Sequence, residues 1–326
     1  MRTIHITTCV ITWLGLTLVV TAKAFAQPYP SGPMRIVVPF PPGGGTDMLA
    51  RLLSRKLNEN WGQSVITDNR PGANGTVGAA FVAKAIPDGH TLLLVPSGFA
   101  VNPSIYPKLP FNSERDLAPV TQLASSPLLV MVHQSLPVKS IQELIALAKA
   151  RPGTINYASS GNGSPPHLAT ELFKYMAGVN LVHIPYKGGG PAVVDLLAGQ
   201  VSIYFNALLQ ALPYVKAGRL RGLAVTSGKR FPSVPEIPTI AESGVPGYDM
   251  TNWYGLLVTG GTPKENVAKL NGEVVRILSQ PDVKKRLADD GAIVIGSTPE
   301  EFAAFIKREI ATNAQIVKAS GMSVEN

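Results

Sequence analysis

Four times along the chain, a short apolar run ends in a glycine-rich loop that leads directly into an amphipathic helix. The loops are residues 41–47, 71–76, 161–164 and 187–191. This order of strand, loop and helix predicts an α/β fold around a mainly parallel sheet. A helix that begins behind such a loop has free backbone N–H groups and the positive end of the helix dipole, so it can hold an anion. One loop alone is more often a tight turn with a helix cap. Their recurrence in both halves of the chain favours an anion-binding role.

The first loop shows this pattern most clearly. An apolar run at residues 35–40 precedes it, and a helix is predicted from residue 47 to about residue 61, because apolar residues recur there with a period of 3.6. Asp47 has two interpretations that stay open at this stage. Its carboxylate caps free N–H groups of the helix, or it faces a cleft and binds a ligand.

The N-terminal residues 1–26 are interpreted as a cleaved secretory signal peptide. Arg2 gives a short positive segment, residues 11–20 are apolar, and Ala24-Phe25-Ala26 has the pattern of a cleavage site. A retained N-terminal anchor is the alternative. Cys9 is the only cysteine and falls in this segment, so no disulfide or cysteine-based metal site is expected in the mature protein. No later apolar run reaches membrane-spanning length.

Composition and motifs argue against several classes of protein. The net charge is +8, but the basic residues are scattered and form no stripe with interleaved aromatics, so nucleic-acid binding is not predicted. The glycine loops do not match the dinucleotide or P-loop patterns, and no nucleophile elbow or H-E-x-x-H motif is present. The five histidines are not spaced as metal ligands. We therefore expect no enzyme activity, no cofactor and no metal.

Two apolar strands, at residues 127–133 and 253–259, are interpreted as crossings between two lobes. The first domain is then discontinuous, with residues 27–126 plus 250–326, and the second is residues 127–249. Each lobe is expected to hold a mainly parallel sheet flanked by helices. A ligand cleft is expected between the lobes, at the carboxyl ends of the strands.

Several side chains at strand ends and loops have a structural and a functional interpretation. His167 is either a partly buried histidine bonded to the loop backbone, which is slightly favoured, or a cleft residue. Phe40 and Phe99 either belong to the core or contact the carbon skeleton of a ligand. Tyr186 and Asn206 end strands, and strand ends beside glycine loops usually line clefts.

The assembled motifs resemble those of the tripartite tricarboxylate transporter substrate-binding proteins, the TctC-like or Bug (Bordetella uptake) family. Matching stretches include RIVVPFPPGGGTDMLAR, VITDNRPGANGTVGA, YASSGNGSPPHLATELF, VHIPYKGGGPAVVDLLAGQV and PEIPTIAESGVPGY, and they run the length of the mature chain. The resemblance implies a two-lobed periplasmic binding protein, type II-like. It also implies capture of a small carboxylate, held largely by main-chain groups and bridging waters from loops 40–47 and 161–164.

With the resemblance, the expected ligand-binding set combines loop and strand-end positions. It comprises Phe40, Gly43, Gly44, Asp47, Ser97, Phe99, Gly161, Asn162, Gly163, Ser164, His167, Tyr186, Gly188 and Asn206. Where relatives often have Asp, this chain has Asn206, which removes a charge and bears on ligand preference. The family binds dicarboxylates, tricarboxylates, acidic amino acids and aromatic acids, so the resemblance sets the class of ligand only.

The resemblance further implies partners and a location. The protein is expected in the periplasm as a monomer that delivers its ligand to the integral-membrane permease subunits of a tripartite tricarboxylate transporter. A receptor of the same fold that signals to a membrane sensor is the alternative. A secreted hydrolase or transferase is a third hypothesis, which the missing nucleophile arrangements disfavour.

Overall fold

The computed structural model describes residues 29–106 and 108–320, with the side chains of 319 and 320 excepted, so the predicted signal peptide lies outside the described residues. The strands are β1 (Met34–Val38), β2 (Val65–Asn69), β3 (Thr91–Pro96), β4 (Leu117–Val132), β5 (Asn156–Ser159), β6 (Val182–Pro185), β7 (Ile203–Ala207), β8 (Arg221–Val225), β9 (Thr251–Thr259) and β10 (Ile293–Val294). The helices are α1 (Gly45–Trp61), α2 (Thr76–Ala83), α3 (Asn102–Ile105), α4 (Ile141–Ala150), α5 (Pro165–Ala177), α6 (Gly189–Leu197), α7 (Leu208–Lys216), α8 (Lys264–Leu278), α9 (Pro281–Asp289) and α10 (Pro299–Ser320).

The strands form one mixed sheet in the order β2-β1-β3-β9-β4-β7-β5-β6, and β8 and β10 also pair with β4. β4 connects two halves. Its residues 117–127 pair with β9, and its residues 128–132 pair with β7. In the first half-sheet β1 is parallel to β2 and β3, and in the second half-sheet β5 is parallel to β6 and β7. The predicted α/β fold with mainly parallel strands is therefore observed, and β4 and β9, which contain the two predicted crossing segments, pair with each other in the antiparallel direction.

Helices cover both faces of each half-sheet because their apolar residues recur on one side. In α1, Leu49, Leu53 and Leu57 are spaced four residues apart and are fully buried against the first half-sheet. Burial of each leucine side chain contributes roughly 2 kcal/mol to folding. The C-cap of α1 is Gly62, whose left-handed backbone lets its N–H bond to the carbonyl of Asn58. The loop before α1 is thus attached to a firmly packed helix.

The first ten residues of β4 were not expected to be a strand. Irregular pairing with β9 between Pro119 and Thr121, and again between Gln122 and Ala124, interrupts the alternation of apolar and polar residues that marks a strand. In the described part of the chain, no helix is long and apolar enough to cross a membrane.

Candidate functional site

A cavity lies where the two half-sheets meet. We call it the central cavity. One wall is the loop between β1 and α1 with the starts of α1 and β9, and the other is formed by the end of β7 and the starts of α5, α6 and α7. The lining residues used below are Phe40, Gly44, Gly45, Thr46, Asp47, Ser160, Pro165, Pro166, Gly189, Tyr204, Asn206, Gln210, Asn252 and Tyr254.

The start of α1 offers free hydrogen-bond donors to the central cavity. No side chain caps this helix, because its N-cap residue is Gly44. The first helical hydrogen bond runs from the N–H of Met48 to the carbonyl of Gly44, so the N–H groups of Gly45, Thr46 and Asp47 have no partner inside the helix. These residues line the cavity. The arrangement is suited to bind a small anion.

Two glycines keep the cavity open. A Cβ atom at Gly45 would lie 2.5 Å from the hydroxyl of Tyr254 and 3.3 Å from Leu209. At Gly189 it would lie 2.9 Å from Oε1 of Gln210 and 3.2 Å from the hydroxyl of Tyr204. Any larger residue at either position would move these side chains.

Asp47 is buried, and both oxygens of its carboxylate accept hydrogen bonds within the protein. Oδ2 accepts from the N–H of Gly43 at 3.1 Å and from Nε of Arg51 at 2.9 Å, and Oδ1 accepts from Nδ2 of Asn69 at 3.0 Å. Burial by itself would raise the pKa of Asp47, but the hydrogen bonds from Arg51, Gly43 and Asn69 outweigh it and hold the pKa below its usual value. The carboxylate is therefore ionised at neutral pH, and it orders the loop before α1 through the N–H of Gly43 rather than capping a helical N–H group.

The helices of the opposite wall differ in how many free N–H groups their starts offer to the cavity. α6 begins at Gly189 with Gly188 as its N-cap, and α7 begins directly after Ala207, so both starts lack a side-chain cap. α5 begins with Pro165 and Pro166, which have no N–H to donate. The donors on this wall therefore come from α6 and α7 and from side chains.

Neutral polar side chains form the rest of the lining. Tyr204 and Tyr254 are fully buried, and burial raises the pKa of both phenols, so both stay protonated. Oδ1 of Asn252 accepts from the N–H and the hydroxyl of Ser97. Asn206 is 2% exposed, and its Nδ2 has no hydrogen-bond partner in the described part of the chain. No lysine or arginine lines this cavity among the residues that the structure describes.

The structure places eight of the fourteen predicted site residues in two cavities. Phe40, Gly44, Asp47 and Asn206 line the central cavity. A second cavity, which we call the loop cavity, lies beside it and shares Phe40, Pro41 and Ser160 with it. Its lining includes Phe40, Gly161, Asn162, Tyr186 and Gly188 from the predicted set, together with Tyr106, Lys187 and the loop at residues 71–75.

Six predicted residues line neither of these cavities: Gly43, Ser97, Phe99, Gly163, Ser164 and His167. Phe99 packs in the core of the first half-sheet, which is the structural interpretation of this residue. Gly43 and Ser97 do not line the central cavity but hydrogen-bond to residues that do. Gly43 bonds to Asp47, and Ser97 bonds to Asn252.

His167 bonds to the loop backbone, as its structural interpretation expected. Its Nδ1 accepts from the N–H of Gly163 at 3.0 Å, and its ring stacks on that of His183 with centroids 4.0 Å apart. Burial lowers the pKa of His167 to about 4 and that of His183 to about 3. Both rings are therefore neutral at pH 7, and Nε2 of His183 bonds to the hydroxyl of Ser159 beneath the same loop.

Sequence reasoning missed Tyr204, Gln210, Asn252 and Tyr254. Tyr204 and Tyr254 lie in the middle of apolar strands, where an aromatic residue usually belongs to the core. Tyr204 lies two residues before Asn206, so both side chains are on the same face of β7. This spacing is the sequence signal that could have placed Tyr204 beside the predicted site residue Asn206. Tyr254 reaches the cavity only because β9 pairs with β3 and β4 across a long sequence separation.

Comparison with known proteins identifies the family. A family model described as "Tripartite tricarboxylate transporter family receptor" matches residues 49–322. The chain belongs to this family. Protein BugT of Bordetella pertussis is 38% identical over 308 residues, which is 94% of either chain. The structure of R. palustris Rpa4515 with adipate has a TM-score of 0.88 at 38% identity and covers 91% of this chain and 100% of that one. MatC from Rhodopseudomonas palustris with bound malate has a TM-score of 0.84 at 34% identity and covers 89% and 100%.

These findings confirm the resemblance and the fold class. The chain has the two-lobed α/β fold of the periplasmic binding proteins, type II-like, and it belongs to a family of solute-binding receptors, not of enzymes. Two of the related solved structures are a periplasmic transporter and the periplasmic binding protein BugD, which agrees with the expected location.

Proposed function

We propose that this protein captures a small carboxylate in the central cavity and delivers it to the membrane permease of a tripartite tricarboxylate-type transporter. The observation that carries the proposal is the uncapped start of α1, with the N–H groups of Gly45, Thr46 and Asp47 beside a cavity whose described lining holds no lysine or arginine. A carboxylate there is bound by main-chain donors and the helix dipole. The adipate and malate in the related structures support this class of ligand.

Contacts between the two walls support binding by closure of two lobes. Nε2 of Gln210 donates to the carbonyl of Gly43 at 3.0 Å. Nδ2 of Asn74 donates to the carbonyl of Gly163 at 3.0 Å. When such contacts form, the donors of α6 and α7 approach the carboxylate on α1, and water is displaced from the ligand. The ligand itself undergoes no chemical change.

The proposed lobes are residues 27–126 plus 250–326 and residues 127–249. In support, β4 changes its pairing partner between Pro127 and Leu128. The chain returns at Met250, whose N–H bonds to Thr226 in the second half, while Thr251 already pairs with Pro127. The mature protein is proposed to be a monomer, with residues 1–26 removed on export.

Isothermal titration calorimetry with a panel of acids tests the function. The panel contains dicarboxylates of four to six carbons, a tricarboxylate, acidic amino acids and an aromatic acid. We expect saturable binding at one site per chain for at least one acid, with mass spectrometry of the natively purified protein identifying any retained ligand. An absence of saturable binding across the panel would overturn the proposal. Light scattering of the same sample measures the expected monomer.

A further inference from the structure

Asn74 makes a contact between the two proposed lobes outside the central cavity. It lies in the loop at residues 71–75 of the proposed first lobe, and it is not part of the lining of the central cavity. Its Nδ2 donates to the carbonyl of Gly163, in the proposed second lobe, at 3.0 Å. A residue in this position can act on an acid in the central cavity only through the relative position of the lobes.

The orientation of the Asn74 amide is set by acceptors around its nitrogen. Besides Gly163, Nδ2 faces Oδ1 of Asn102 at 2.8 Å and the carbonyl of Gly98 at 3.4 Å, both in the proposed first lobe. Asn102 is itself oriented, because its Nδ2 donates to the carbonyl of Asn74 at 3.2 Å. Oδ1 of Asn74 has no partner in the described part of the chain. The side chain therefore presents its donor, and not its acceptor, to Gly163.

The peptide groups on either side of Gly163 are held by both proposed lobes. The N–H of Gly163 donates to Nδ1 of His167 on α5 at 3.0 Å, and its carbonyl accepts from Asn74. The approach is close, since a Cβ atom at Gly163 would overlap Ile105 and lie 3.0 Å from Nδ2 of Asn74. α5 follows directly, and its first two residues line the central cavity. The bond from Asn74 thus positions one wall of the cavity relative to the other.

The backbone around Asn74 has an uncommon conformation. Ala73 and Asn74 have φ values of 44° and 49°, and in the described part of the chain they are the non-glycine residues with positive φ. Asparagine tolerates this left-handed region better than most residues. Such conformations persist where surrounding contacts hold them, and they are frequent in segments that switch. A glycine at residue 74 keeps this backbone and removes only the amide, so the contact can be tested by itself.

We infer that Asn74 is a positioning residue, which holds the two lobes together once an acid has entered and so slows its release. The bond to Gly163 belongs to the closed form and breaks when the lobes separate. Because Asn74 does not line the central cavity, its effect is the same for every acid that the cavity encloses. This inference rests on the proposed function and adds to it a control of the release rate.

The variant N74G tests the inference through association and dissociation rates, measured by stopped-flow mixing. Malate and adipate are the first probes, because related structures contain them, followed by the acid of the calorimetric panel that binds most tightly. We expect dissociation to be about two- to tenfold faster than in the wild type, the range for one lost hydrogen bond. The association rate is expected to stay unchanged, because the bond forms after the acid has entered.

The variant N266A is the matched control. Nδ2 of Asn266 donates to the carbonyl of Asp88 at 3.0 Å, and both residues belong to the proposed first lobe. This bond has the same type and length as that of Asn74 but does not join the lobes. We expect wild-type rates in N266A. Equal dissociation rates in N74G and N266A overturn the inference.

The variant N74D replaces the donor by an acceptor and keeps a residue that tolerates the left-handed backbone. One carboxylate oxygen would then face the oxygens of Gly98, Asn102 and Gly163. Since these groups repel each other, we expect each acid that binds to leave N74D faster than it leaves N74G. Dissociation from N74D at the rate of N266A overturns the inference.

The outcomes separate the two proposals. If no acid binds to the wild type, the proposed function fails and the inference with it. If acids bind but leave N74G at the rate of N266A, the inference alone fails. Circular dichroism and thermal melting establish that the variants are folded. If either N74G or N74D is not folded, the other decides by the same comparison with N266A.

Discussion

Nε2 of Gln210 donates a 3.0 Å hydrogen bond to the carbonyl oxygen of Gly43 and so joins the first turn of α7 to the loop that precedes α1. The same loop is held from its other side by Asp47, which accepts from the N–H of Gly43. The peptide groups of Gly43 are therefore bonded to both walls of the central cavity. A ligand carboxylate at the start of α1 would be bound by a loop whose position depends on both contacts.

The variant Q210A removes the contact between the walls. A neutral hydrogen bond contributes about 0.5–1.5 kcal/mol, so we expect acid affinity to fall about three- to tenfold in calorimetry, with the fold unchanged. Q134A is a matched control, because Nε2 of Gln134 also donates to a glycine carbonyl, that of Gly218, on the exposed surface. Equal affinities for Q210A and Q134A would contradict the role of the contact.

The variant G45A tests how closely the cavity is filled. The new Cβ would lie 2.5 Å from the Tyr254 hydroxyl, which is closer than real contacts allow, so Tyr254 or the loop must move. We expect at least about a fivefold loss of affinity, since overpacking of a filled site costs about 1–3 kcal/mol. G272A serves as the control, because a Cβ at that exposed helical position meets nothing within 4 Å. Binding of G45A at wild-type affinity would show that the ligand does not contact this part of α1.

The variant D47N tests the carboxylate that orders the loop. We expect the free energy of unfolding to fall by about 1–3 kcal/mol, since an amide cannot accept all three hydrogen bonds. The folded-state pKa of Asp47 is lowered, so its stabilisation is complete above the usual pKa and is lost as the pH falls through the folded value. The difference between wild type and D47N in urea melts should therefore shrink below about pH 4.

The control for this prediction is D289N, which breaks the exposed pair of Asp289 with Lys285 on α9. An exposed pair contributes little, so we expect little change. A difference between wild type and D47N that is the same at pH 3 and pH 7 would contradict the account.

The stacked pair His167 and His183 predicts that stability also depends on pH through two basic groups, in contrast to the acidic group of Asp47. Burial lowers both pKa values, to about 4 and about 3, so the unfolded chain binds more protons below its ordinary histidine pKa. Stability is then lost as the pH falls from about 6.5 toward 4, by up to about 1.4 kcal/mol per pH unit for each histidine. Urea melts between pH 4 and 7 should show a smaller slope in H183Q than in the wild type. H133Q removes a histidine outside the stack as the control, and a slope in H183Q equal to that of the wild type would refute the prediction.

The sequence determined the elements around the first loop because their signals are local. The spacing of Leu49, Leu53 and Leu57 predicts α1, and the glycines before it predict an open helix start, which the structure shows. The position of Asn206 at the end of a predicted strand likewise predicts that it lines a cleft, and it lines the central cavity. In each case neighbours in sequence are neighbours in space.

The features that the sequence did not predict depend on contacts between residues far apart in the chain. The first part of β4 has no clear alternation because of its irregular register with β9, and Tyr254 lines the cavity only through that register. Gln210 looks like an ordinary helical residue until α7 is placed against the loop at Gly43. Phe99 could not be distinguished from a cleft residue, because a strand end can point toward the core or away from it.

The most direct test of the central claim is a crystal structure of the protein with the acid that binds most tightly in calorimetry. The account predicts a carboxylate within hydrogen-bond distance of the N–H groups of Gly45 and Thr46, at the start of α1 in the central cavity. An acid bound only in the loop cavity between Tyr106, Tyr186 and Lys187, or outside both cavities, would contradict it.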